Sequence, residues 1–303
     1  MNIVIVFNPI AGAGRAARTA SDLAEALRRG GHDAALVEAR VAPPESWLSP
    51  ALGGADVAVA VGGDGTVRMV APSAAEAGAA IFHVPLGTEN LFSREFGMVD
   101  DAERLLAALA LPRFRTVDMG TANGRSFLLM VSVGYDAAVI HELARRRTGA
   151  ISHFSYAAPM LAQFLRWRPR TLEVTVDGER IDGGRPGFVV IANSRQYARR
   201  LDPAREAIMD DGLLDVVFFR TASRFALMAW AWRCRWGTQL DHPAVATRRG
   251  RRVQVVSREP QPFQMDGDVP DAGPGLGAPF TPLEAGIRPG VLRVLLPSGS
   301  GDC

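Results

Sequence analysis

Apolar positions in the first third of the chain come in short unbroken runs. Residues 3–7, 34–38, 56–61 and 80–84 each read as a strand buried on both faces, the pattern of a parallel sheet. Between these runs the period lengthens to that of a helix. Leu23, Ala24 and Leu27 share one face of a stretch that ends at Arg29, residues 91–96 fit a short helix, and residues 100–109 are amphipathic behind an Asp cap. The helix expected before residue 56 is poorly marked, because Pro43, Pro44 and Pro50 interrupt it. Strands alternating with helices predict an open α/β sheet with both faces covered.

Near Asp118 the pattern changes. Residues 126–133, 171–176, 187–192, 213–219, 252–256 and 261–265 read as strands, with a hairpin signal at Asp177-Gly178. Helical stretches at 137–147, 153–167 and 223–236 interrupt them, residues 270–282 form a Gly- and Pro-rich loop, and residues 291–296 make a last strand. Strands outnumber helices, so a second, mainly antiparallel domain is expected. The expected boundaries are 1–118 and 119–288.

The stretch Val61-Gly62-Gly63-Asp64-Gly65-Thr66-Val67 puts three glycines and one carboxylate between a buried strand and a helix that Thr66 can help to start. Such a corner lets backbone N–H groups approach a phosphate without interference from Cβ. Asp64 would then hold Mg²⁺ through water or take a proton from an acceptor hydroxyl, unless it merely caps the turn. A similar corner follows the first strand, at Asn8-Pro9-Ile10-Ala11-Gly12-Ala13-Gly14-Arg15, and a third loop, Pro85-Leu86-Gly87-Thr88-Glu89-Asn90, follows the strand at 80–84. Two glycine loops at the carboxyl ends of parallel strands form a crevice for a nucleotide.

Composition narrows the picture. The 303 residues are 48% hydrophobic and 22% charged, which suits a soluble globular protein of two ordinary domains. A net charge of +2 is too small to argue for a nucleic-acid partner. All 34 basic residues are arginine, the mark of a GC-rich genome, so no lysine can clamp a phosphate. Cys234 and Cys303 make no disulfide framework, and His32, His83, His141, His153 and His242 have no ligand spacing. The chain enters its first strand directly and has no apolar run of ~18 residues, so the expected location is the cytoplasm.

With these motifs in order, the chain resembles the diacylglycerol kinase-like lipid kinases, the group that includes sphingosine and ceramide kinases. Asn8-Pro9 with Gly12 and Gly14 is similar to the family's first nucleotide loop, Gly62 to Thr66 to its phosphate loop, and Pro85 to Thr88 with Asn90 and Arg94 to its third loop. Gly134-Tyr135-Asp136-Ala137 resembles the opening of the second domain. Pro203 with Asp210-Asp211-Gly212-Leu213 resembles a segment that carries a structural Mg²⁺, and Gln264-Met265-Asp266-Gly267-Asp268 the late active-site motif. The resemblance implies a Rossmann-like nucleotide-binding domain followed by a β-sandwich that holds the lipid, with the last strand, 289–303, returning to the first domain.

It also implies transfer of the ATP γ-phosphoryl group to the hydroxyl of diacylglycerol or a related lipid, with ATP and Mg²⁺ as cofactors, at the inner membrane face; a homodimer stays open. Asn8, Pro9, Gly12, Gly14, Arg15, Gly62, Gly63, Asp64, Gly65, Thr66, Thr88 and Asn90 would bind the nucleotide, and Asp268 or Asp64 would be the base. Asp211, with the carbonyls of Ile208 and Leu213, would hold the metal, against the alternative of a plain turn residue. Four departures from the family pattern bear on substrate: Leu91 and Asp268 stand where Asp and Glu are common, Ala39-Arg40 where a threonine is common, and Ala198-Arg199-Arg200 where glycines are common. The rival readings are a kinase of a soluble acceptor, similar to NAD kinases, and a silent nucleotide- or lipid-binding protein.

Two further features are ambiguous from sequence. Asp136 either orients a substrate or caps the next helix, and Arg145-Arg146-Arg147 reads as a solvated helix end. In the stretch 223–236, Phe225, Met228, Ala229, Trp232 and Trp236 share one helical face and Leu227, Trp230, Ala231 and Cys234 the opposite one, with Arg224, Arg233 and Arg235 between. Either the domain buries both faces, or one of them meets lipid, and Trp230 is the residue expected there.

Overall fold

The computed structural model describes residues 1–146, 157–270 and 276–298. Arg147, His153 and Cys303 lie outside the described residues. The chain forms two units: Met1–Val117 with the residues from Gly290 onward, and Asp118–Pro289.

In the first unit, strands and helices alternate: β1 (Asn2–Phe7), α1 (Ala16–Arg29), β2 (Asp33–Glu38), α2 (Pro44–Leu52), β3 (Val57–Gly62), α3 (Asp64–Ala77), β4 (Ala80–Pro85), α4 (Leu91–Phe96) and α5 (Ala102–Ala110). The strands are parallel in the order β2-β1-β3-β4, and Val294 from the end of the chain pairs with Ile81 at the far side of β4. β3 is buried at every position, as its Val-Ala run requires of a central parallel strand. α1 covers the sheet with Ala16, Ala20, Leu23, Ala24 and Leu27. Full burial of each leucine contributes about 1.5–3 kcal/mol. The prolines do not break α2: Pro44 sits in its first turn, where a missing N–H costs nothing, and the chain is helical through Pro50. Asp101 caps α5 by accepting from the Glu103 N–H at 2.9 Å.

The second unit contains β5 (Phe114–Ala122, from Asp118), β6 (Arg125–Phe127), β7 (Met130–Val133), α6 (Tyr135–Arg146), α7 (Ala157–Arg166), β8 (Arg170–Thr171), β9 (Glu173–Val176) and β10 (Glu179–Arg180). It continues with β11 (Pro186–Ala192), β12 (Leu214–Arg220), α8 (Ala226–Trp236), β13 (Val245–Gly250), β14 (Arg252–Val256), β15 (Phe263–Met265) and β16 (Leu283–Leu295, up to Pro289). One antiparallel sheet runs β13-β12-β11-β7-β15, with β8 beside β11; a second runs β10-β9-β14-β16. Val174, Val176, Val255 and Leu283 of the second sheet meet Val133, Val189, Ile191 and Phe218 of the first in one buried core, which makes the unit a β-sandwich.

Four strands depart from the sequence reading. The expected strand 126–133 is broken between β6 and β7, because the amides of Leu128 and Leu129 turn to a carboxylate, described below. β5 and β13 are strands the hydrophobic pattern did not mark. β13, Val-Ala-Thr-Arg-Arg-Gly, ends its sheet, and an edge strand carries charge for that reason. β16 begins at Leu283, well before the expected residue 291.

Candidate active site

In the first unit, three loops leave the carboxyl ends of adjacent strands β1, β3 and β4. The order β2-β1-β3 reverses direction at β1, the position where open α/β sheets leave a crevice. Asn8 ties the first loop down: its amide donates to the Val61 carbonyl at 3.3 Å and its Oδ1 accepts from the Ile10 N–H at 3.3 Å. Gly12, Ala13 and Gly14 all have positive φ, at 59°, 56° and 86°. Ala13 is strained there by about 1–2 kcal/mol. Arg15 folds back on its own loop, donating from Nε to the Gly12 carbonyl at 3.1 Å.

The second loop is built on missing side chains. A Cβ on Gly62 would lie 2.3 Å from the Thr66 hydroxyl, so Thr66 is buried beneath the loop. The Gly62 carbonyl accepts from the Leu86 amide at 2.8 Å and from His83 Nε2 at 2.9 Å. His83 is fully buried, and burial pushes its imidazole down to about 4, against a smaller upward pull from that carbonyl. The ring is therefore neutral and donates through Nε2–H. Gly63 starts α3 without a side-chain cap. The first-turn N–H groups of α3 point out of its N-terminus, toward the loop.

The third loop closes on the second. A Cβ on Gly87 would lie 2.6 Å from the Cα of Gly63, so the two backbones touch. Asn90, at φ 50°, pins Gly87 by accepting from its N–H and donating to its C=O, both at 2.8 Å. Thr88 is half-buried on the same loop. Asp64 reaches across to α4: one carboxylate oxygen accepts from the Leu91 amide and the other from the Phe92 amide, each at 2.9 Å. A side-chain-free cradle next to a helix N-terminus fits the phosphates of a nucleotide.

Within the second unit, the late motif is a tight hairpin. Met265 and Asp268 exchange backbone hydrogen bonds around Asp266 and Gly267, whose φ angles are 49° and 84°. Asp266 is buried and accepts from three consecutive amides, Leu128, Leu129 and Met130, at 2.8–2.9 Å. This bond set interrupts the strand at 128–129 and locks the turn that carries Asp268. Asp136, in the first turn of α6, accepts from the hydroxyls of Ser132 and Tyr197, the latter at 2.9 Å. Burial pushes its carboxyl above the usual range, opposed by those donors and the nearby α6 amides. Asp118, missed from the sequence, accepts from the Gly212 amide at 2.7 Å and latches the turn next to Asp211.

Asp211 accepts from the Leu213 amide at 3.0 Å through one oxygen and pairs with Arg249 through the other; Arg249 also reaches Asp215 at 3.4 Å. Both carboxylate oxygens of Asp211 are thus engaged, one by the Leu213 amide and one by Arg249. No cluster of three or more His, Cys, Asp or Glu able to hold a metal occurs among the described residues. A concavity of about 680 Å³ over β9, β14 and β16, lined by Asp177, Arg252 and Glu284, contains none of the candidate residues.

Helices α7 and α8 carry an apolar surface. Phe164 and Phe225 meet edge to face with centroids 5.8 Å apart, and Arg224 donates to the Leu165 carbonyl at 2.7 Å. Leu161, Leu165, Phe225, Met228, Trp232 and Trp236 are exposed, each 58–66%. Every charged side chain on the two helices is an arginine. The expectation for Trp230 is overturned. It is 6% exposed, donates to the Thr221 hydroxyl at 3.1 Å, and packs on Phe219 and His242, so the lipid-facing candidate is the Trp232 side.

The chain thus pairs a parallel α/β unit that carries glycine loops at its strand ends with an antiparallel sandwich. The chain belongs to the diacylglycerol kinase family: residues 2–122 match the diacylglycerol kinase catalytic domain and residues 129–296 the YegS C-terminal NAD kinase beta sandwich-like domain. It is 26% identical to a diacylglycerol kinase of Mycobacterium tuberculosis (strain ATCC 25618 / H37Rv), covering 97% of this chain and 95% of that one. A diacylglycerol kinase of Staphylococcus saprophyticus is 24% identical, over 89% and 90% of the two chains. A crystal structure described as a diacylglycerol kinase from Bacillus anthracis str. Sterne superposes with a TM-score of 0.70 at 16% identity, covering 99% and 98%. No helix among the described residues is long and apolar enough to cross a membrane.

Proposed function

We propose that this protein transfers the γ-phosphoryl group of ATP to a hydroxyl of diacylglycerol or a related lipid. The observation that carries this reading is the apolar, arginine-rimmed face of α7 and α8. A kinase of a soluble acceptor gains nothing from Trp232 and Trp236 in water, whereas an enzyme that draws its acceptor from a bilayer needs such a face. Membership of the family and the names of its relatives support the same reading.

When bound, MgATP supplies the phosphoryl group together with a cation that offsets its charge. Gly12, Gly14, Gly62, Gly63 and Gly65 leave room for the phosphates against backbone amides. Asn8, Pro9, Thr66 and Asn90 hold that backbone in shape, and Arg15 and Thr88 add polar groups at its rim. Asp268 takes the proton of the acceptor hydroxyl, with Asp64 as the competing candidate. The protein works from the cytoplasm against the inner membrane face.

The test is transfer from radiolabelled ATP to a panel of lipids in mixed micelles, with NAD and sugars as soluble acceptors. A labelled lipid phosphate is expected. Label only in a soluble acceptor would replace the lipid, and tight ATP binding with no labelled product would make the chain a silent binding protein.

A further inference from the structure

The turn that carries Asp268 is held by a second buried device besides Asp266. The Gly267 N–H donates to Gln264 Oε1 at 2.8 Å, and Gln264 Nε2 donates to the Ser132 hydroxyl at 2.8 Å. Ser132 donates in turn to Asp136 Oδ2, which also accepts from the Tyr197 hydroxyl. Ser132 and Gln264 are buried. The direction of this chain is fixed by chemistry. A backbone N–H can only donate, so Gln264 must present its oxygen to Gly267 and its amino group to Ser132. Ser132, receiving that proton, has its own left for Asp136.

Charge at Asp136 is therefore felt at the backbone next to Asp268. The carboxyl lies in a site where burial disfavours ionisation and the donors from Ser132 and Tyr197 favour it. Each of these donors is oriented by what lies behind it, and behind Ser132 the line ends at the Gly267 amide. Gly267 follows Asp266 and precedes Asp268, so the line constrains the peptide planes that aim the Asp268 side chain.

We propose that Asp136 is a positioning residue for Asp268, acting through Ser132 and Gln264 on the Gly267 amide. This rests on the reading that Asp268 works on the acceptor hydroxyl. Asp136 itself need not touch the reacting atoms.

Ser132→Ala cuts the line in the middle, and Gln264→Met cuts it one link on should the first variant fold poorly. At a temperature where circular dichroism shows the variant folded, kcat should fall ~10-fold or more with the KM for ATP unchanged, since small misplacements of a reacting group carry losses of that size. Ser132→Thr keeps the hydroxyl and should recover most of the rate. In amide NMR spectra the Gly267 signal should move in Ser132→Ala and return in Ser132→Thr, while that of Leu129, held by Asp266, stays in place. An unmoved Gly267 signal, or an unchanged kcat with Asp268→Ala inactive, overturns the proposal. Full turnover in Asp268→Ala overturns it differently, by removing the role of Asp268 itself.

Discussion

Asp64 and Leu91 lie 27 residues apart in the chain, and the carboxylate of the first caps the helix that begins with the second, at 2.9 Å. The residue at the local cap position, Asn90, makes no such bond; its side chain is turned back on Gly87. Asp64 thus serves α4 from the start of α3 and fixes the third loop against the phosphate loop. A carboxylate can offer a separate oxygen to each of two adjacent amides.

Asp64→Asn replaces one of those acceptors with an amino group facing a backbone N–H. We expect a stability loss of about 1–3 kcal/mol, measured as a lower denaturant midpoint with unchanged slope. Phosphoryl transfer should fall ~100-fold or more if Asp64 also handles the cation or the proton. Normal turnover in a merely less stable variant would restrict Asp64 to holding the loops.

Gly87→Ala should separate the loops. Its methyl group would meet the Gly63 backbone at 2.6 Å and Asn90 Oδ1 at 2.8 Å, and neither can withdraw cheaply. ATP affinity by calorimetry is expected to drop ~10-fold or more, on the order of 1.4 kcal/mol. Gly277→Ala, where nothing lies within 4 Å and φ is ordinary, is the control and should bind ATP normally. Equal affinities would mean that the contact between these loops does not shape the nucleotide site.

His83 gives the first unit an acid-sensitive element. Its imidazole titrates near 4 in the folded chain and near 6.5 when unfolded. Between those values the unfolded chain binds the extra proton, so stability is complete above pH 6.5, falls as pH drops, and levels off below about 4. The whole effect is about 3 kcal/mol at 1.36 kcal/mol per unit. His83→Gln keeps a donor for the Gly62 carbonyl and cannot titrate. Urea melts from pH 7 to 4 should show a shallower loss of stability for the variant; parallel curves would show that the ring is not held neutral.

The tryptophans of α8 should divide by face. Trp230→Ala removes a buried ring with a hydrogen-bonded indole and should cost about 3–5 kcal/mol, lowering activity on soluble and membrane-bound acceptors alike. Trp232→Ala should melt within a few degrees of the parent yet sediment less with anionic vesicles. If Trp232→Ala binds vesicles as well as the parent protein does, the apolar face serves something other than a membrane.

Much of the first unit can be read from its residues because local rules govern it. Strands buried on both faces are unbroken apolar runs, and each loop announces itself by glycines where a Cβ would collide, as at Gly62 and Gly87. Partnership over distance is another matter. Nothing near Asp64 points to Leu91, nothing near Asp118 to Gly212, 94 residues away, and nothing near Asp266 to Leu129, 137 residues back. Nor does anything near Asp211 point to its ion pair with Arg249, which arrives from β13, a strand whose charged sequence hid it. In α8, helical periodicity separates Trp230 from Trp232 without saying which side meets the sandwich. That choice is made by Thr221, Phe219 and His242, all outside the helix.

The last strand has a consequence for how the protein is made. The second unit is one continuous stretch, Asp118–Pro289, whereas the first needs residues from Gly290 onward to line up Val294 beside Ile81. On a ribosome the amino-terminal unit therefore waits, with β4 as an open edge, until the sandwich has been synthesised in full. A premature stop after Pro289 would spare the unit nearest the stop and leave incomplete the one that was translated first.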